Sequence, residues 1–394
     1  MKTKYIFILM LLISFGSIGA VIFTPGLPDI ATYFRVSSQI AEYTITWYLV
    51  GYAFGQLVYG ALVNRFGSHL TIVIGTILAI IGTCGCILSY WIDSFILLVI
   101  ARFIMALGCA CGLKMTFTLA HKLFTHNDSA RVMGLLTMAF AITPGFGVFI
   151  GGLAIQHFNW TAPFYLMIVY ALAILLCANQ LPEVITAKDY NALKIDNLLN
   201  NYLVQFKDSA VIFGGLLVGL GSCVVYIFAS VSPFIAMNTM HLTPTSYGAY
   251  SFIPSLGILL GSVLSNYLGK VWTPNKSLKF GLFISILGTI LLFLLLFISN
   301  NQAMSLFLPM VIIYFGLSFI FGNSAALALK YAEDKSNAAA VMSFINMGSA
   351  FLVVTILGLF NISQPIILPI VYLGLLGFGI LWYVILTKLN QNNE

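Results

Sequence analysis

The sequence predicts an all-α membrane protein in which twelve transmembrane helices form two pseudo-symmetric six-helix bundles. Three observations support this fold class: the composition, the number of long apolar runs, and the position of the longest polar segment. Of the 394 residues, 60% are hydrophobic and only 7% are charged, against roughly a quarter charged in an ordinary soluble domain. A chain of this composition is expected to have the lipid bilayer as a partner.

Apolar runs long enough to cross a bilayer recur along the whole chain. A helix of about 18 or more apolar residues spans a hydrocarbon core of roughly 30 Å and bonds all its backbone groups internally. The twelve predicted runs lie near residues 5–30, 41–63, 70–91, 94–119, 131–156, 161–181, 209–237, 245–268, 278–299, 303–327, 337–360 and 366–388. The first run follows Met-Lys-Thr-Lys, as in a secretory signal, but its length and the eleven later runs favour an uncleaved helix.

The longest polar segment divides the runs into six and six. It predicts a first bundle over residues 1–181, a cytoplasmic linker over 182–208 and a second bundle over 209–394. A weak repeat supports two homologous halves, since Gly55, Asn64 and Gly67 recur 202 residues later as glycine, asparagine and glycine. Two such halves with a binding site between them are a transporter architecture.

The positions of Lys and Arg predict the orientation, because positively charged loops stay in the cytoplasm. With the N-terminus inside, fourteen of the seventeen lie in cytoplasmic segments: Lys2, Lys4, Arg65, Lys122, Arg131, Lys188, Lys194, Lys207, Lys270, Lys276, Lys279, Lys330, Lys335 and Lys388. We therefore expect a multi-pass protein of the cytoplasmic (inner) membrane with both termini in the cytoplasm. The +6 formal charge is explained by these loops, so no nucleic-acid partner is predicted.

The loop after the second run carries a recognisable motif. Residues 60–69 read GALVNRFGSH and resemble the G-x-L-x-D-R-x-G-R-[RK] signature of the major facilitator superfamily. Gly60, Leu62, Arg65 and Gly67 match, whereas Asn64 replaces the aspartate. The preceding Gly-Gln-Leu is similar to the drug/proton antiporter branch, which includes bicyclomycin and chloramphenicol resistance proteins.

Three further segments extend the resemblance through the first half. ARFIMALG places Arg102 in the fourth-helix pattern, GVFIGG places Gly147, Gly151 and Gly152 in the antiporter pattern of the fifth helix, and NWTAPF resembles the segment that follows it. The resemblance implies a monomeric twelve-helix transporter that works by alternating access, with no cofactor and with a proton gradient as its candidate driving force.

Eight residues are expected to serve gating. Glycine is needed where the chain turns or helices approach closely, and in the family the loop aspartate and arginine form a charge latch, which uncharged Asn64 would weaken. A structural turn without a gating role is the alternative. Prolines inside a helix bend it. The expected gating residues are Gly60, Asn64, Arg65, Gly67, Pro144, Gly147, Gly151 and Gly152.

Two cations in the fourth run suggest the substrate. A Lys or Arg at membrane depth costs roughly 2.5–3.5 kcal/mol on insertion scales and usually marks a pathway. All carboxylates fall in loops or at the ends of predicted helices, so none answers Arg102 and Lys114 within the spans. An anionic or carboxylate-bearing substrate is therefore expected. Two alternatives stay open: Lys114 reaches the cytoplasmic surface, and Arg102 organises helix contacts or a proton path. Helices one, seven and ten, which line the family's cavity, add Phe23, Tyr226, Tyr314 and Asn323 as substrate-binding candidates.

Proton coupling has little support at this level. Asp29, Glu42, His157 and His241 lie near the predicted outer face and could titrate there, but each is also an ordinary loop residue. Symport, antiport and uniport are all left open.

The sequence therefore predicts a secondary active transporter of a small organic molecule, resembling drug or metabolite efflux proteins. Two alternatives are an importer of a carboxylate siderophore or related metabolite and a sensor that binds without transport. No enzyme is predicted, because no catalytic polar cluster or Walker loop is present. No metal site is predicted either, since the two close cysteine pairs, Cys84 with Cys86 and Cys109 with Cys111, fall at different depths.

Overall fold

The computed structural model describes residues 2–124, 126–185, 189, 192–194, 202–298, 302–332, 334–359 and 365–392. The long helices are α1 Lys2–Val21, α2 Tyr43–Phe66, α3 Ser68–Ile92, α4a Phe95–Cys109, α4b Cys111–Leu123, α5 His126–His157, α6 Ala162–Ala178, α7 Ser209–Phe234, α8 Pro244–Leu268, α9 Pro274–Ile298, α10 Ala303–Ala328, α11 Lys335–Gly358 and α12 Ile367–Asn392.

The predicted twelve-span fold is confirmed over these residues. Counting α4a and α4b as one span, ten spans are long and apolar enough to cross a membrane by themselves. The other two are α2, which has 24 residues but is rich in tyrosine, and the apolar α6, which has 17. A helix of 17 residues rises about 26 Å, so α6 is close to the thickness of the hydrocarbon core.

Two predicted runs are interrupted helices. The first, predicted as continuous from 5 to 30, ends as α-helix at Val21; a 3₁₀ turn at Thr24–Gly26 and a short helix Leu27–Tyr33 follow. Pro25 lacks the N–H that would continue the α-helical ladder. The fourth run is interrupted at Ala110, which separates α4a from α4b. Both interruptions expose backbone carbonyls that side chains can use.

Helices of the same half pack together, and the halves meet along two seams. The seams join α5 to α8 and α2 to α11. Because twelve spans return the chain to its starting side, both termini lie on one side, which we call the proximal side; the opposite side is the distal side. The 3₁₀ turn at Thr24–Gly26 also contacts α7 and α8, so the halves touch at their distal ends.

Glycines of α5 allow the closest contacts. A Cβ on Gly151 would overlap the carbonyl oxygen of Ile22, just past the end of α1, and a Cβ on Gly152 would overlap that of Pro244, which begins α8. A Cβ on Gly147 would lie 3.3 Å from Ile18 of α1. Gly151 thus allows close packing within the first half, and Gly152 allows close packing against α8 of the second half.

The distal part of the α5–α8 seam is further closed by polar and backbone contacts. Thr245 N–H donates to Gln156 Oε1 at 3.2 Å, and a Cβ on Gly248 would lie 2.8 Å from the Cα of Phe149. Pro144 lies inside α5. Its predicted role in bending during transport stays a prediction.

The loop at residues 60–69 turns on Gly67, whose φ of +91° suits glycine. The carboxylate of Glu183 fills the space beside it: a Cβ on Gly67 would lie 2.6 Å from Glu183 Oε2. Glu183 accepts hydrogen bonds from Ser68 N–H (2.8 Å), Ser68 Oγ (2.7 Å) and His69 N–H (3.1 Å). The N-terminus of α3 is therefore capped by a carboxylate 115 residues away in sequence.

The other predicted gating residues of this loop occupy separate places. The carbonyl of Asn64 accepts from Asp189 N–H at 2.9 Å, and the Arg65 guanidinium lies 5.9 Å from the Phe66 ring centroid. Gly60 faces Lys114, whose Nζ would lie 3.8 Å from an added Cβ. Their role in gating stays a prediction.

Alanine in place of Gly152 should disfavour the closed distal side, because its Cβ would collide with Pro244 of α8. Gly151→Ala acts within the first half instead and should lower thermal stability, by about 1–3 kcal/mol as typical overpacking does. Phe158 and Gln302 are exposed at the distal ends of opposite halves. The distance between spin labels at these two positions measures distal closure in Gly152→Ala, and thermal unfolding measures the stability of Gly151→Ala.

Gly134→Ala on the same helix is the matched control, because its added Cβ meets nothing within 4 Å. An unchanged label distance in Gly152→Ala would contradict the assignment of Gly152 to the seam between the halves.

The Glu183 cap predicts a pH-dependent stability. Burial raises the pKa of this carboxyl, but hydrogen bonds from Ser68, Ile185 and His69 outweigh it and lower the pKa to about 2. A depressed pKa contributes stability above the unfolded value of about 4.3 and loses it as pH falls toward the folded value. We expect Glu183→Gln to lower the melting temperature at pH 7 and the gap to close between about pH 4 and 2.

The effect should be small, at most about 1 kcal/mol, because the carboxylate is exposed and screened. Asp93→Asn at the other end of α3 is the control, since a carboxylate near a helix C-terminus is not stabilised by the helix dipole. A gap that persisted unchanged to pH 2 would indicate that the charge of Glu183 is irrelevant.

Candidate substrate pathway

Arg102 is the largest fully buried side chain in the described part of the chain. It is 0% exposed, and its guanidinium donates to three backbone carbonyls: Gly19 at 2.7 Å, Ala20 at 3.1 Å and Thr44 at 3.1 Å. A fourth donor contact reaches Met105 Sδ at 3.6 Å.

Two rings enclose the flat faces of the guanidinium. Its Cζ lies 4.0 Å from the Phe23 centroid and 4.3 Å from the Tyr48 centroid. Such cation–π contacts stabilise a desolvated cation by roughly 2 kcal/mol. Phe23, predicted to bind substrate, is itself 0% exposed and stacks on Phe164 at 5.9 Å.

The carbonyls that Arg102 binds exist because α1 ends early. Gly19 and Ala20 lie in the last turn of α1, where carbonyls lack intrahelical partners and the helix dipole favours a cation. Arg102 thus joins α4a to the end of α1 and the start of α2. This geometry favours the helix-organising interpretation left open by the sequence; direct contact with an anion stays a prediction.

One face of α2 forms a polar seam. Tyr48 OH donates to Gly16 O at 2.8 Å, Gln56 Nε2 to Ala110 O at 3.4 Å and Tyr59 OH to Gly108 O at 3.5 Å. These side chains are eight and three residues apart, a spacing that places them on one face of a helix and was a usable signal. Their acceptors lie at or near the ends of interrupted helices.

Tyrosines meet across the halves near the middle of α2, α7 and α10. The half-buried Tyr226 of α7 lies near Tyr52 of α2 and near Arg102. It also lies near Tyr314 of α10, which is 6% exposed and lies 6.4 Å from Phe228, ring to ring. Tyr52 was missed from sequence, because its partner comes from the other half. The structure thus groups Arg102, Tyr226 and Tyr314.

Lys114 and Asn323 are not part of this group. Lys114 is half-buried on α4b beside Gly60 and interacts electrostatically with Asp334, which precedes α11. Asn323 Nδ2 donates to Phe319 O at 2.8 Å and Ser265 Oγ at 3.3 Å, so it joins α10 to α8. Within the described residues no group of three His, Cys, Asp or Glu side chains is placed to hold a metal.

Comparison with known proteins identifies the fold. The family model described as Major Facilitator Superfamily matches residues 7–358. Solved structures with similar folds include a D-xylose-proton symporter (TM-score 0.79, 13% identity, 98% of this chain and 97% of that one) and the inward-open xylose transporter XylE from E. coli (TM-score 0.75, 12% identity, 98% and 96%).

Curated relatives resemble the chain over most of its length. An uncharacterized transporter of Rickettsia felis is 26% identical, covering 82% of each chain. A bicyclomycin resistance protein homolog of Haemophilus influenzae is 27% identical (69% of this chain, 73% of the relative), and the chloramphenicol resistance protein CraA of Acinetobacter baumannii is 24% identical (85% and 80%). Because the family model matches residues 7–358 and the relatives are transporters, the chain belongs to the Major Facilitator Superfamily and is a membrane transporter, not an enzyme.

Proposed function

We propose that this transporter exports a small organic molecule from the cytoplasm by alternating access between its two bundles. The proximal side is then cytoplasmic, as the positions of Lys and Arg predict, and the membrane is the inner one. Relatives named for bicyclomycin, chloramphenicol and multidrug resistance support the direction.

One observation carries the proposal: at their distal ends the bundles approach closely at glycines that face backbone, beside the Gln156–Thr245 hydrogen bond. Gly152 against Pro244 and Gly248 against Phe149 are contacts that a rocking motion can break without unfolding either bundle. The tyrosines between the bundles lie where such a motion would alternately expose a site.

The preferred substrate under this proposal is an anion that meets Lys114. Lys114 is half-buried on the proximal half of the pathway, whereas the N–H groups of Arg102 are largely occupied by carbonyls. Drug-like compounds with a carboxylate are the class to test first. Import of a carboxylate-bearing metabolite and binding without transport are alternative outcomes of the same assay.

The first experiment measures flux of anionic, neutral and cationic compounds in proteoliposomes with imposed pH gradients. Outward flux of an organic compound, lost on dissipating the gradient, is expected. Inward accumulation would favour the importer, and saturable binding without flux would favour the sensor; either result contradicts the proposal.

Lys114→Gln should lower flux of anionic substrates at least tenfold, since losing one charge-assisted contact costs about 1.5–3 kcal/mol, and should leave the melting temperature near wild type. Arg102→Gln should lower the melting temperature because it leaves three carbonyls without their donor. Lys122→Gln, exposed at the proximal end of α4b, is the control. Anion flux unaffected by Lys114→Gln would exclude the anion-binding role.

A further inference from the structure

Glu42 is a carboxylic acid enclosed by the protein, and no counter-charge lies beside it in the described part of the chain. It immediately precedes α2, outside that spanning helix, and only 5% of it is exposed. Its Oε2 is fully buried and has no hydrogen-bond partner among the described residues. A buried carboxylate without a partner is strongly disfavoured, so such a group is held in its protonated form.

The Glu42 side chain does not bind the backbone N–H groups at the start of α2. It occupies the N-cap position of α2, where a carboxylate would ordinarily accept backbone N–H groups, yet its side chain makes no capping bond. Its backbone carbonyl instead accepts from Ile45 N–H and Thr46 N–H. Without the cap, no backbone N–H of this helix end donates a hydrogen bond to the charged form.

Neighbouring charged groups do not offset the effect of burial on the Glu42 carboxyl. Burial alone raises the pKa of the Glu42 carboxyl, to about 8, and no neighbouring charge contributes. The distal ten residues of α11 carry no titratable side chain. The titratable groups on the other elements around the distal end of α2 are Asp29, Tyr33, Arg35, Tyr43, Tyr90, Asp93, Arg102 and Cys109.

Glu42 also stands next to the surface that opens in alternating access. The short helix before it, Ser38–Ala41, meets the end of α11 in the other bundle: the carbonyl oxygen of Gln39 lies 3.8 Å from a Cβ added to Gly358. Two residues after it, Thr44 O accepts the Arg102 bond. Separation of the distal ends would admit water beside Glu42.

We propose that Glu42 is a proton-binding site, loaded from the distal side, whose protonation is required for the distal side to close. This deepens the proposed function by naming a proton-linked step in the closing of the distal side, and it rests on alternating access. In the distal-open state water solvates the carboxylate and it ionises; on closure it is buried and carries a proton. Closing and proton uptake are therefore the same step.

Linkage fixes the sign and size of the effect. Between about pH 4.3, the ordinary value for Glu, and the value of about 8 in the closed state, only the closed form carries the proton. The closed-to-open ratio should thus fall up to about tenfold for each unit rise in pH.

The test measures the distance between spin labels at Phe158 and Gln302 from pH 5 to 8, in lipid nanodiscs without substrate. Cys84, which is exposed, and Cys177, which is half-buried, are replaced by serine in every sample. We expect closure to increase as pH falls in the wild type, and to be independent of pH and mostly closed in Glu42→Gln. Asp29→Asn, an acid on the adjacent short helix, should keep the wild-type pH dependence.

Glu42→Gln with unaltered pH dependence, or a wild type with none, would overturn the proposal. Infrared spectroscopy gives a second reading on the intact wild type and on Glu42→Asp: a protonated carboxyl band should persist near pH 7 and shift in the variant. Ionisation of every carboxyl by pH 6 would also overturn it. Because no substrate is present, these outcomes do not depend on whether the protein exports the compounds proposed above.

Discussion

The fold of the first bundle depends on one buried cation and the helix that ends in front of it. A guanidinium removed from water is costly unless its donors are satisfied. Here the early end of α1 supplies Gly19 and Ala20 carbonyls, and the start of α2 supplies Thr44. The break at Thr24–Gly26 and the charge of Arg102 compensate each other: each alone would leave buried polar groups without partners. Three helices meet at a single side chain as a result.

The seam between the bundles follows the opposite design. It uses close approaches of glycine to backbone where the first bundle's interior uses a charge, and such contacts separate at low cost. Gly151 and Gly152 are adjacent in sequence but face different partners, one inside the bundle and one across the seam. The helix that carries them, α5, thereby packs within its own bundle through Gly151 and against the other bundle through Gly152.

The sequence was sufficient for the membrane class, the twelve spans and the family, because each follows from composition, run length or local motifs. It did not predict the interruptions at Thr24–Gly26 and Ala110, since both segments remain apolar. It also missed Glu183 and Tyr52. Their partners lie 115 residues away or in the other half, and a single sequence contains no signal for such pairings.

The site was predicted unevenly for the same reason. Arg102 was found because a charge in an apolar run is conspicuous, but its partners are carbonyls, which every residue has. Phe23 was predicted to bind substrate, and its ring lies against the guanidinium of Arg102. Glu42 was treated as a loop residue because its position in sequence gives no sign of burial. Arg102, Phe23 and Glu42 are all buried in the folded protein, and the hydrophobic pattern of the sequence does not show this burial.

The linker after α6 has a mechanical consequence. Near its start Glu183 is bound to α3, and further along Tyr202 OH donates to Leu57 O of α2 at 2.7 Å. Both attachments are to the first bundle, so the tether that joins the two bodies is the six residues from 203 to 208, not the whole segment. Fully extended, six residues reach about 20 Å; residues 203–207 are now helical and span far less. Under alternating access, the separation of the two bundles at the proximal side would be limited by the length of these six residues. A longer tether would require the Tyr202–Leu57 hydrogen bond to break.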